Sequence, residues 1–278
     1  MARPQRIEFA GALYHVGAKG QGGDRLFRDA ADAERFLAIL AQVCRRYDWA
    51  VMAYCLLPDR FELVTETRRA TLSEGMRRLA GLYGQAFNRR HGRRGPVFQG
   101  RFKAVLVDGD LYLAEVCRET LRAPVEAGLA AEARDWRWSS LRAMARGRAP
   151  DWLACGPLLR LFSDDPATAA AKVAGFVENF LSASDPWSDR RAQIFLGSEG
   201  FVERAQRRAE DAARDPAAEA PHSLAWFAAQ YPDPHEAMAR AHLEGGHSQP
   251  KVAAHFGVHY STVSRAAARW AGDLAAAA

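Results

Sequence analysis

Apolar residues alternate between two spacings along the first 120 positions. From Ile7 to Lys19 the run IEFAGALYHVGAK has the two-residue alternation of a strand, and the glycines at 20, 22 and 23 follow as a loop. From Asp29 to Tyr47 the spacing becomes helical: Phe36, Leu37, Leu40, Val43 and Cys44 share one face, and Asp29 or Asp32 can cap the start. Trp49–Leu57 and Phe61–Thr67 are two further strands joined by a tight turn at Pro58-Asp59. A second long helix follows over Leu72–His91, with Met76, Leu79, Leu82, Tyr83 and Phe87 on its apolar face. A fourth strand falls within Val97–Val107, and Asp110–Leu121 is a further helix. The order β-α-β-β-α-β predicts an α+β, ferredoxin-like domain over residues 1–150, with an antiparallel sheet and its two helices on one face.

The stretch Trp136–Ala143 closes this domain, its two tryptophans read as packing residues. Beyond Pro150 the periodicity is helical throughout, over 153–162, 167–182 and 198–213. Residues 151–214 are therefore a helical connector. Residues 215–221, rich in Pro, Ala and Glu, are a linker, and 222–271 form an all-α terminal module.

Charge changes this picture. The chain has 278 residues and a net charge of +5. Residues 1–150 carry 26 Lys and Arg against 17 Asp and Glu, a net of +9; residues 151–278 carry 12 against 16, a net of −4. So basic a first half favours a polyanionic partner. Cys44, Cys55, Cys117 and Cys155 are widely spaced in apolar contexts and read as buried free thiols. Without a secretory leader or a membrane-spanning run, the expectation is a cytoplasmic, nucleoid-associated protein with no membrane partner.

Two stretches point to nucleic acid. Gln85–Lys103 holds Arg89, Arg90, Arg93, Arg94, Arg101 and Lys103 with no acidic residue, and Gln99 lies among them. Phe87, Phe98 and Phe102 are interleaved, either as stacking surfaces for unpaired bases or as core. Ser248–Trp270 has helix-turn-helix spacing: Pro250 at a helix start, small Ala253 where helices approach, Gly257 at the turn and Val263 plugging the second helix. That places His259, Tyr260, Ser261, Thr262, Ser264, Arg265 and Arg269 outward, where they suit base edges and phosphates in a major groove. The alternative is a plain helical hairpin.

These segments, in this order, resemble the REP-associated single-tyrosine transposases of the HUH class. The resemblance is carried by PQRIEFAGALYHVGAKG, AYCLLPDRFELVTET, LSEGMRRLAGLYGQAFNRRHGRRGPVFQGRFKAVLVD, LRAPVEAGL, WRWSSLRA and LGSEGFVER. The terminal module is also similar to the DNA-binding domain of the bacterial replication initiator. The resemblance implies single-stranded DNA cleavage at palindromic hairpins. Two histidines around one hydrophobic residue would hold a divalent metal, a later tyrosine would attack the phosphate, and the protein would pair as a homodimer.

At these positions the chain reads Arg60-Phe61-Glu62, with Glu119 in the place of the tyrosine. Arginine stays protonated and cannot be a ligand. The expectation is a non-cleaving descendant with no cofactor, no metal ligands and no catalytic residues. It would bind hairpin or single-stranded DNA and duplex DNA, with Arg60 and Glu62 paired to each other or to Glu119. The alternative is an active nickase with a rearranged site, using Tyr112 and a Mg²⁺ or Mn²⁺ ion gathered by His15, Glu62 and Glu119.

Overall fold

The computed structural model describes residues 6–179, 185–214, 223–245, 247 and 249–276. The first strand, β1, is Ala12–Lys19. It starts later than the hydrophobic alternation does, because Gly11 adopts φ 75 and turns the chain into the sheet, its N–H donating to the Thr67 carbonyl at 2.8 Å. Helix α1, Ala30–Tyr47, begins at Asp29, whose carboxylate accepts from the Asp32 N–H at 3.2 Å. Strands β2, Trp49–Leu57, and β3, Arg60–Thr67, form the hairpin. Helix α2, Leu72–His91, ends on Gly92 in the left-handed region, and β4 is Lys103–Val107.

These four strands lie in the order β2-β3-β1-β4, every neighbouring pair antiparallel. Each helical crossover therefore skips one strand, as a split β-α-β plan requires. Helices α1 and α2 cover one face, over a core that includes Val16, Phe36, Leu40, Phe61, Leu63, Met76 and Tyr83.

The segment that follows β4 covers the other face. Helices α3 (Gly109–Glu126), α4 (Leu141–Ala145), α5 (Gly156–Arg160) and α6 (Pro166–Glu178) bury Leu13, Val64 and Val105 of the sheet beneath Val116, Leu121, Leu141, Leu158 and Val173. Residues 190–196, read from the sequence as part of a helical connector, add two short strands. These are β5, Arg190–Arg191, and β6, Phe195–Leu196, which pairs parallel to β4. A recognisable strand signature takes an alternating run of about four to eight residues, and two-residue strands carry none. The free edge of β2 is closed as well: Leu56 N–H donates to the Trp138 carbonyl at 2.8 Å, and Trp136 Nε1 to the Leu56 carbonyl at 2.9 Å.

Helix α7, Glu199–Arg214, follows, with Ala205 in the first core. The expected linker at 215–221 lies outside the described residues. The terminal helices are α8 (Leu224–Gln230), α9 (Pro234–Leu243), α10 (Gln249–Phe256) and α11 (Tyr260–Ala276). Ser223 and Asp233 cap the first two through their side chains. A separate small core of Leu224, Phe227, Met238, Val252, Ala253 and Val263 holds the four together. Gly257, at φ 66, makes the turn between α10 and α11, the conformation that glycine takes without a Cβ clash.

Candidate nucleic-acid interface

Strand alternation sets out the first site. Residues 13, 15, 17 and 19 of β1 point to the α3 side of the sheet, and so do residues 60, 62 and 64 of β3. The antiparallel register puts Lys19 opposite Arg60 and Gly17 opposite Glu62. On the other side of β1, Gly17 faces Lys103 and His15 faces Val105. Pairing of β1 with β4 ends there, and the chain before β4 stays tied to β1 by the Gln99 N–H, which donates to the Lys19 carbonyl at 2.9 Å.

The result is a cleft of about 550 Å³ between the strand ends and the 186–190 segment. Its charged and polar lining is His15, Lys19, Arg60, Glu62, Gln99, Arg101, Lys103 and Arg190, and Trp187 forms one wall. Gly17 leaves its floor open: a Cβ there would sit 3.2 Å from the Phe61 carbonyl and 3.8 Å from Glu62 Cγ.

Five cations thus face one carboxylate among the described lining residues, and that carboxylate is already engaged. Arg60 Nε donates to Glu62 Oε1 at 3.2 Å, and Arg60 Nη1 to Asp59 Oδ1 at 3.2 Å. His15 Nε2 lies 3.5 Å from Glu62 Oε2, and its ring packs on Trp187 with centroids 4.8 Å apart. Burial pushes the Glu62 carboxyl upward, but His15 and Arg60 together outweigh it and hold the group below its ordinary range.

The divalent metal that the family resemblance implies does not fit these residues. Arg60 has no lone pair to give, and its charge repels a cation from Glu62. Glu119, on α3, is not among the residues lining the cleft; its Oε1 lies 3.9 Å from Arg118 Nε. Burial, helped by Glu126 and Asp185, raises the Glu119 carboxyl. Tyr112 donates its hydroxyl to Asp189 Oδ2 at 3.0 Å, and burial and Asp189 raise its pKa, away from a phenolate nucleophile. Among the described residues no three His, Cys, Asp or Glu side chains gather as a metal site.

The basic stretch before β4 divides in two. Gln99, Arg101 and Lys103 reach the cleft, and all three are exposed. Arg90 and Arg93 do not, because acids from far along the chain take them. Arg90 makes a two-pronged pair with Asp29 at 2.8 and 2.6 Å and a bond to Asp32 at 2.6 Å. Arg93 pairs with Asp24 at 2.7 Å. Arg89 and Arg94 are exposed at the end of α2 and just beyond. The stretch holds no acid of its own, so nothing local in it signals this compensation. Nor are the three phenylalanines free platforms: Phe87 is buried, and Phe98 and Phe102 pack partly buried against the first core. Lys19, Trp187 and Arg190 line the cleft without being among the expected site residues. Lys19 was accessible from the hairpin alternation that pairs it with Arg60. Nothing local marks the other two.

A second surface lies on α11. Val263 is fully buried, and Ala266 and Ala267 face inward beside it. Tyr260, Arg265 and Arg269 are exposed, and Ser261, Thr262 and Ser264 half-buried. His259 is partly committed to the helix start, its Nδ1 accepting from the Ser261 N–H at 3.4 Å and lying 2.9 Å from the Ser261 hydroxyl. Its ring packs on Tyr260 at 4.3 Å.

A family model described as a homeodomain-like domain matches residues 237–278, which contain most of α9 and all of α10 and α11. No curated protein matches the chain. Among solved structures, the chain is similar to a REP-associated tyrosine transposase bound to a REP hairpin, at 17% identity over 54% of this chain and 89% of that one, with a TM-score of 0.47. So low a TM-score leaves the fold to rest on the strand order and register described above. Among the described residues no helix is long and apolar enough to cross a membrane.

Proposed function

We propose that this protein is a DNA-binding relative of the single-tyrosine transposases that has ceased to cleave, and that it acts as a regulator at the DNA it holds. The cleft takes a hairpin or single-stranded segment, and α11 takes duplex. One observation carries the reading: four cations, Lys19, Arg101, Lys103 and Arg190, line a cleft whose carboxylate is occupied by a fifth, Arg60. Such a site attracts phosphates, and its excess of cations repels a divalent metal ion. In keeping with the family resemblance, the protein works as a homodimer in the nucleoid.

The test is a labelled DNA hairpin titrated with the full chain at rising salt, with denaturing gels run on the same mixtures in Mn²⁺. Neutralising about four phosphates gives a log–log salt slope near −3 for an unpaired strand. The expected gels show no nicked product and no protein–DNA adduct. A covalent adduct would establish an active nickase.

A further inference from the structure

Three guanidinium groups converge where α1 ends. Arg46, in its last turn, is only 8% exposed, and its Nη1 donates to the carbonyl of His242 near the end of α9. Arg69, from the loop before α2, donates from Nη2 to the Arg46 carbonyl at 2.7 Å. Arg78 projects from α2, partly buried. The Nε atoms of both Arg46 and Arg78 are shut off from solvent and meet no acceptor. None of the three forms an ion pair with a carboxylate among the described residues, and Asp48, the nearest along the chain, pairs with Arg68 at 3.5 Å instead.

The fourth member is His242. Its Nδ1 lies 2.8 Å from the His247 carbonyl and so carries the proton; Nε2 faces the Gln249 side-chain amide at 3.4 Å. Burial lowers the imidazole's pKa, the His247 carbonyl opposes this, and the charges of Arg46 and Arg78 lower it further. Burial and Arg46 also lower the Arg78 pKa. The carbonyl ends of α1 and α9 offset part of this positive charge. They do not satisfy the two Nε donors, and a buried donor without an acceptor is costly.

A tetrahedral oxyanion supplies what is missing: negative charge and several acceptor oxygens matched to guanidinium forks. We propose that the junction of α1, α2 and α9 binds a phosphate group through Arg46 and Arg78, and that its binding fastens the terminal helices onto the first domain. This site is separate from the cleft and does not depend on the DNA reading. The phosphate comes either from a free phosphate-bearing solute or from a DNA backbone that reaches the junction.

The experiment is thermal unfolding of the full chain at constant ionic strength, with inorganic phosphate replacing chloride. Ligand binding to the folded state raises the midpoint as concentration passes the Kd. The expected result is a rise of several degrees in the natural protein that is absent in Arg78→Gln and retained in Arg101→Gln, which changes a cleft residue and leaves Arg46, Arg78 and His242 in place. Because the readout is the phosphate-dependent difference, a general loss of stability in Arg78→Gln does not obscure it. No rise in the natural protein, a rise that Arg78→Gln keeps, or a rise that Arg101→Gln abolishes would each overturn the proposal. With the site established, a duplex oligonucleotide that cancels the phosphate response assigns the group to DNA; an undiminished response assigns it to a free solute.

Discussion

Arg60 Nε and Glu62 Oε1 stand 3.2 Å apart on the same side of β3, with Phe61 between them turned into the opposite core. The strand thus keeps the geometry for presenting two side chains to one point, while the side chains satisfy each other. The double variant Arg60→His/Glu62→His is expected to gain site-specific Mn²⁺ affinity by calorimetry, and the natural chain is expected to show none. Tight stoichiometric Mn²⁺ binding by the natural chain would sink this account of the pair.

The cations of the cleft and those of the α2 terminus are expected to separate in a salt titration. Arg101→Ala and Lys103→Ala should each weaken hairpin binding and make the log–log slope shallower by about 0.7. Arg90→Ala should leave the slope unchanged, because Asp29 and Asp32 already hold that guanidinium. A loss of slope in Arg90→Ala equal to that in Arg101→Ala would move the DNA path to the helix end.

Acid should loosen the docking of α9 on α1. His242 has a folded-state pKa below its ordinary 6.5, so the unfolded chain binds the proton more readily. Its contribution is complete above about pH 6.5 and is lost as pH falls from there towards the folded pKa. The groups that face it are Arg46, Arg78, the Gln249 amide and the His247 carbonyl, and none is an acid that would welcome the charge. The melting temperature should therefore fall between pH 7.5 and pH 5, and less steeply in His242→Gln. Parallel pH curves for the two proteins would remove His242 from the linkage.

The terminal module makes a prediction of its own. Tyr260→Ala and Arg265→Ala change exposed positions on α11 and should reduce duplex binding without lowering the melting temperature. Gly257→Ala should do the reverse first, costing about 1–2 kcal/mol through its left-handed backbone. Unaltered duplex affinity in both surface variants would take α11 out of the interface.

The elements legible in the sequence were those with long periodic signals. The hairpin at Pro58-Asp59, the faces of α1 and α2, and the positions of Ala253, Gly257 and Val263 all follow from spacing. What was not legible depended on distance along the chain. Arg90 meets acids 58 and 61 residues away, and Arg93 one 69 away, so two of the six cations in a stretch with no acid of its own are paired. Trp187 comes to His15 from the far side of the fold. Of the two pairings expected for Arg60 and Glu62, the one with each other is the one formed, as two residues apart on one strand face allows.

The two-residue strand β6 bears on how this protein can be divided. It pairs parallel to β4, and Leu106 N–H donates to the Ile194 carbonyl while Asp108 N–H donates to that of Leu196, both at 2.8 Å. A fragment ending near residue 150, where composition changes, would leave β4 as a bare edge of Val105, Leu106 and Val107. It would also strip α5 and α6 from the apolar face above. Unpaired backbone beside exposed valine and leucine is a template for intermolecular strand addition. Such a fragment should form aggregates on expression, and one carried through α7 should stay monodisperse.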